Sequence, residues 1–183
     1  DVYIVEFGIG QGGSLQMWQD YFGDKCKIYG IDINPHCKIL KENQIEVLIG
    51  NQEDRRFLNT LVEKIPKIDI LIDDGGHRMK QQIVTFEELF PHISENGIYL
   101  CEDLHTSYRK SHGGGYKKKK TFIEYSKNFI DQVNAWHSEN KNRLDVNDFT
   151  RSTYSLHYYD SILVVEKKPI QKPSSCQTGE IDT

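Results

Sequence analysis

The chain has 183 residues, 37% apolar and 27% charged, which is enough for one packed core and excludes wholesale disorder. A formal charge of −4 excludes the strongly basic profile of a dedicated nucleic-acid binder. The longest apolar runs are about six residues, against the roughly 20 that a membrane-spanning helix needs, and no basic-then-apolar leader opens the chain.

Short β-branched runs alternate with helical patterns, the signature of a parallel sheet flanked by helices. Strands are predicted at Val2–Phe7, Lys27–Ile31, Ile45–Ile49, Ile68–Ile72 and Gly97–Cys101, and helices at Ser14–Phe22, Pro35–Glu42, Asp54–Lys64 and Lys80–Phe90. Leu58, Leu61 and Val62, and likewise Ile83, Phe86, Leu89 and Phe90, recur at helical spacing and give each helix one face to bury. After a Gly- and Lys-rich loop, Thr121–Ser138 reads as a helix carrying Phe122, Tyr125, Phe129 and Val133. Two more strands, Ser152–Tyr159 and Ser161–Val165, are joined through Asp160 alone, so they form an antiparallel pair. From Pro169 to Thr183 the chain is polar and proline-bearing, a disordered tail after a domain over residues 1–168. Cys26, Cys37, Cys101 and Cys176 show neither CxxC pairing nor metal-ligand spacing, which fits reduced thiols in the cytoplasm.

Ligands on open α/β sheets bind beyond the carboxyl ends of the strands. The first strand runs into Glu6-Phe7-Gly8-Ile9-Gly10-Gln11-Gly12-Gly13-Ser14, where glycines permit a tight turn and the helix start offers free N–H groups. A dinucleotide suits its GxGxxG pattern, but Glu6 repels a pyrophosphate and suits a cationic amino-acid moiety. Asp32 can accept both hydroxyls of a ribose or cap the turn before Pro35, and Asn51 and Gln52 can meet an adenine edge or be plain loop polar groups. The fourth strand ends in Asp73-Asp74-Gly75-Gly76-His77 and the fifth in Glu102-Asp103-Leu104-His105, so carboxylates converge at one rim. A divalent cation relieves that repulsion, and oxygen ligands favour Mg²⁺, Mn²⁺ or Ca²⁺ over zinc. His77 reaches over the same rim, and an imidazole near its ordinary pKa suits a general base.

VEFGIGQGGS, IYGIDIN, IDDGGH and IYLCEDLHTSY together resemble the class I S-adenosylmethionine (SAM)-dependent methyltransferases, and within them the metal-dependent sugar O-methyltransferases of macrolide and rhamnosyl pathways. The likeness runs from Val2 to Lys167. It implies a Rossmann-like α/β fold: a seven-stranded, mostly parallel sheet of order 3-2-1-4-5-7-6, an antiparallel C-terminal hairpin and helices on both faces. It also implies Asp74, Glu102 and Asp103 as Mg²⁺ ligands and His77 as the base. Glu6, Gly8, Gly10, Gly12, Ser14, Asp32, Asn51, Gln52 and Asp73 would lie around SAM. The implied acceptor is a small molecule with a sugar hydroxyl, with neither nucleic acid nor membrane as partner and a homo-oligomer left open.

Three departures qualify the likeness: Gly76 stands where serine is common, Arg109 stands where an aromatic residue is expected, and an upstream segment covering the active site is expected but absent before Asp1. The basic segment His112–Lys120 (HGGGYKKKK) reads as a solvated loop, or as a lid attracting a phosphorylated sugar. Competing readings are an NAD-dependent oxidoreductase, a non-catalytic SAM-binding module of a larger protein, and a catechol-type O-methyltransferase, whose lysine base has no counterpart here.

Overall fold

A computed structural model describes residues 1–179, and the last four residues of the expected tail lie outside the described residues. Strands β1 (Val2–Phe7), β2 (Cys26–Asp32), β3 (Ile45–Ile49), β4 (Ile68–Asp73) and β5 (Ile93–Cys101) pair in parallel. Strands β6 (Thr153–Tyr159) and β7 (Ile162–Lys167) add an antiparallel hairpin, giving the order β3-β2-β1-β4-β5-β7-β6. This is the expected sheet. Registers such as Phe7↔Ile31, Phe7↔Asp73 and Asp73↔Cys101 bring the parallel strands to a common carboxyl edge.

Burial alternates along β7 and the second half of β5, as the pleat requires where one face is better covered than the other. One face packs Val5, Phe7, Leu71, Tyr99 and Leu163 against helices α2 (Arg55–Lys64) and α3 (Met79–Leu89) through Leu58, Leu61, Phe86 and Leu89. Phe86 stacks on Phe90 and Phe129, tying α3 to the later helices. The other face packs Ile4, Ile28 and Ile72 against Leu15 of helix α1 (Gly13–Phe22) and Cys37. Among the described residues, no helix is long and apolar enough to cross a membrane.

Several predicted elements differ in detail. The segment read as a helix from Pro35 to Glu42 is a 3-10 turn, Pro35–Leu40, started by the Asn34 side chain accepting from the His36 N–H. The helix expected over Thr121–Ser138 divides into α4 (Phe122–Ser126), α5 (Asn128–Val133) and a 3-10 turn at Ala135–His137. Asn128 and Asn134 cause part of this: their amides donate back to the Tyr125 and Ile130 carbonyls, competing with the backbone ladder. A helix not predicted, α6 (Asp148–Ser152), is capped reciprocally by Asn147 and Thr150. Strand β5 starts at Ile93 rather than Gly97, with an irregularity in its pairing to β4. The final hairpin turns through Asp160 and Ser161, not Asp160 alone, and Ser161 takes the positive φ (63°) that so tight a turn needs. Pro169–Gly179 has no helix or strand, although the Ile170 N–H donates to the Arg151 carbonyl at 2.7 Å.

Candidate active site

The turn after β1 is shaped by backbone rather than side chains. Gly8, Gly10 and Gly12 have φ of 85°, 48° and 84°, a region costly to side-chain-bearing residues. A Cβ on Gly8 would lie 2.0 Å from the Asp74 carbonyl oxygen, so only glycine lets the β1 turn close on the β4 turn. Glu6 is 2% exposed. Its two carboxylate oxygens accept from the Ser14 hydroxyl and, at 3.0 Å, from the Trp18 indole N–H. Burial pushes the Glu6 carboxyl above its ordinary range, and these two hydrogen bonds pull it back.

Asp32 accepts from the N–H groups of Gly10 (3.2 Å) and Asn34 (2.8 Å), so it braces the glycine turn, while Asn34 caps the following 3-10 turn. Gly8, Asp32, Asn51 and Gln52 line one cleft of about 170 Å³, the gathering predicted from sequence. Phe7, Ile31, Ile33, Gly50, Gly75, Gly76 and Gln81 also line it and were not anticipated as cofactor residues. Ile33 is 68% exposed and offers an apolar face at the cleft mouth. Its only sequence signal was an isoleucine one residue past the strand.

Two of the predicted cofactor residues, Gln52 and Asp73, are engaged by protein groups. The Gln52 amide donates to Asp73 Oδ1 (2.9 Å) and Thr85 Oγ1 (3.2 Å) and accepts from the Gly76 N–H (2.9 Å). Both ends of that amide are therefore engaged by protein. Asp73 is fully buried with Oδ2 unpartnered, and burial pushes its carboxyl up to about 6. It lies beneath the cleft and braces it. Asn51 accepts from the Glu53 N–H at 2.9 Å, ordering its own turn.

The second half of the site is the rim of β4 and β5. Asp74, His77 and Asp103 each present a ligand atom, all within 4.8 Å of one another, a set that can hold a metal ion. His77 Nε2 lies 3.4 Å from Asp103 Oδ2 and 3.9 Å from Asp74 Oδ1. His105 approaches Asp103 from the other side at 3.7 Å. Glu102 stands outside this tight trio, yet the charges of Asp74 and Asp103 add to burial in raising its carboxyl. Asp74 is pushed up to about 6, by burial first and then by Asp103. His77 is held below the ordinary imidazole range by burial, with Asp103 pulling the other way, so it is neutral near pH 7.

His77 and Asp103 both hold positive φ, 51° and 55°, at roughly 1 kcal/mol each. Their flanks explain how. The Gly76 N–H donates to Gln52 and the Arg78 N–H to Gln81, fixing His77 from both sides. The Asp103 carbonyl accepts from the Thr106 N–H and hydroxyl, and Leu104 N–H donates to Ser161 in the hairpin turn. Strain clustered on two facing site residues is held by surrounding structure, as at functional sites generally.

The carboxylates of Asp74, Asp103 and neighbouring Glu102 fit a hard divalent cation, which leaves the His77 imidazole free beside it, and the glycine turn with its adjoining cleft fits an adenosyl cofactor. A sheet of this order, with both half-sites at its carboxyl edge, is the class I methyltransferase fold. No family model matches the chain. Individual proteins do. The chain is 33% identical to 8-demethyl-8-alpha-L-rhamnosyl tetracenomycin-C 2'-O-methyltransferase from Streptomyces olivaceus, over 91% of its own length and 46% of that protein. It is 31% identical to mycinamicin VI 2''-O-methyltransferase from Micromonospora griseorubida, over 91% and 44%. Among solved structures, the MycE methyltransferase of the mycinamycin pathway, in complex with Mg and SAH, superposes with a TM-score of 0.86 at 30% identity, over 92% of this chain and 46% of that one. The chain is thus homologous, over nine-tenths of its length, to the sugar O-methyltransferases of such pathways, and it spans just under half the length of the relatives it matches.

Proposed function

We propose that the chain carries the methyl-transferring half of a divalent-cation-dependent O-methyltransferase, acting from SAM on a sugar hydroxyl. One observation carries the reading: His77 Nε2 sits within 4 Å of two carboxylates at the rim beside the glycine turn. The relatives' names support the sugar acceptor, and the MycE complex with Mg and SAH supports the two ligands.

Asp74 and Asp103, with Glu102 beside them, would hold the cation, which supplies Lewis acidity toward two neighbouring hydroxyls. SAM supplies the methyl group. Gly8, Gly10 and Gly12 give the cofactor close access to backbone, while Asp32 and Asn51 face its cleft and Glu6 with Ser14 braces the turn. His77, neutral because it is buried, takes the hydroxyl proton at Nε2. Its fixed backbone keeps that nitrogen aimed, and such placement is where much of the acceleration arises.

Calorimetric titration of SAM and S-adenosylhomocysteine, with and without Mg²⁺ and with NAD as control, tests the reading. Binding of the first two and not NAD is expected, and NAD binding would overturn it. His77→Ala should lower methyl transfer to sugar acceptors by about 100-fold while leaving SAM affinity within a factor of two. Equal loss of both would remove His77 from the base role.

A further inference from the structure

Along helix α3 lies a cavity of about 1040 Å³, at the upper end of ordinary ligand sites and larger than one sugar ring requires. It runs from Arg78 and Met79, directly after His77, to His112 and the lysines of the segment 112–120. Its floor is apolar, with Met79, Ile83 and Val84 from α3. Its charges do not cancel. Each lining carboxylate already has a cation: Glu53 with Lys80 at 3.1 Å, Glu87 with Arg55, and Glu124 with Lys127. Among the described residues, Arg78, Lys119 and Lys120 have no carboxylate within 4 Å, so the wall carries uncompensated positive charge.

The basic segment is not loosely hung. Gly114 and Gly115 N–H groups donate to the Arg109 and Ser107 carbonyls at 2.9 and 2.8 Å. A Cβ on Gly114 would lie 2.4 Å from the Thr106 carbonyl oxygen, so the segment is seated against the backbone after β5. Lys118 Nζ returns to the Gly113 carbonyl at 2.8 Å, and Phe122 N–H meets the Met79 sulfur. Lys117 and Lys120 are held at φ of 51° and 74°, which a merely solvated loop has no reason to retain.

We propose that this cavity is an anion subsite in which Arg78, Lys119 and Lys120 receive a phosphoryl group carried by the acceptor. The acceptor is then a sugar phosphate or a nucleoside diphosphate sugar rather than a neutral glycoside. One guanidinium fork with two ammonium groups suits the several acceptor oxygens of a phosphoryl group better than a lone carboxylate. The sugar ring would extend past Met79 to the rim, where His77 lies one residue beyond Arg78. The inference rests on the methyltransferase reading above.

The test is calorimetric titration of the full chain, in chelator so that no metal bridges the phosphate, with inorganic pyrophosphate, glucose 1-phosphate and UDP-glucose. The variants are R78Q, K119Q/K120Q and their combination, with K25Q/K27Q at the opposite end of the sheet as control. Wild type and control should bind alike, each variant more weakly, and the combination weaker by on the order of tenfold or more. Binding should also weaken as salt is raised. The tighter of the two sugar ligands identifies the source of the phosphoryl group. Absence of binding by wild type, or equal affinity across all variants, would overturn the subsite. S-adenosylhomocysteine titrated into each sample separates the failures: its retention confines the fault to the subsite, and its loss from wild type removes the methyltransferase reading itself.

Discussion

Gly8 and Gly10 differ in a way that can be measured. Both hold positive φ, so Gly→Ala at either position incurs the left-handed penalty, roughly 1 kcal/mol. Around Gly10 nothing lies within 4 Å of a built Cβ, whereas at Gly8 that atom falls 2.0 Å from the Asp74 carbonyl oxygen and 2.7 Å from Gly75 Cα. Ordinary contact would require the two turns to part by about 1.4 Å. The obstacle is backbone on both sides, so overpacking adds about 2–3 kcal/mol at Gly8 alone. At about 2–4 °C per kcal/mol for a chain of this size, Gly10→Ala should melt some 2–4 °C below wild type and Gly8→Ala about 10 °C below. Differential scanning calorimetry reads both. Because the displaced carbonyl belongs to Asp74, Gly8→Ala should also weaken Mg²⁺ binding, while Gly10→Ala leaves it unchanged. Melting temperatures within about 2 °C of each other would refute the close approach of the two turns.

Two further outcomes follow from the carboxylates. Asp74 is pushed up to about 6, and a cation binds its ionised form, so apparent Mg²⁺ affinity should be level above about pH 7 and fall about tenfold per unit below pH 6. Calorimetry at three pH values checks this, and a flat profile would contradict it. Asp73, also raised to about 6 from an ordinary 3.8, keeps its proton longer when folded than when unfolded. Its ionisation therefore destabilises the fold increasingly as pH rises from about 4 to 6, by up to about 3 kcal/mol. Asp73→Asn lacks that penalty, so urea unfolding should show it gaining on wild type by about that amount between pH 4 and 7. A difference independent of pH would mean that Asp73 titrates alike in the folded and unfolded chain, so that burial does not raise its carboxyl.

Much of this was legible in the residues. Strands β1 and β3 were bounded correctly because β-branched runs ended at polar or glycine residues, and carboxylates placed just after strands had to meet at one edge. Helix lengths after Lys120 were less legible, since Asn128 and Asn134 divide a continuous apolar stripe by bonding to local carbonyls. The extra length of β5 was hidden by Ser94, Glu95 and Asn96, polar residues that do not look like a strand. In the site, which residues converge was readable, but which way they face was not. Gln52 and Asp73 turn toward each other beneath the cleft, a pairing across 21 positions that no local pattern encodes. The positive φ of His77 and Asp103 was equally silent, being held by Gln81 and Thr106 close by and by Gln52 and Ser161 from other segments.

The two tryptophans occupy very different places. Trp18 donates its indole N–H to Glu6 at the root of the glycine turn, whereas Trp136 lies within the 3-10 turn Ala135–His137, its ring 6.0 Å from the Arg151 guanidinium. Indole emission responds to the charge and polarity of its immediate neighbours, and for Trp18 that neighbour is a buried carboxyl beside the cofactor cleft. The chain therefore carries its own fluorophore at one site and a distant reference at the other, an optical arrangement that needs no label.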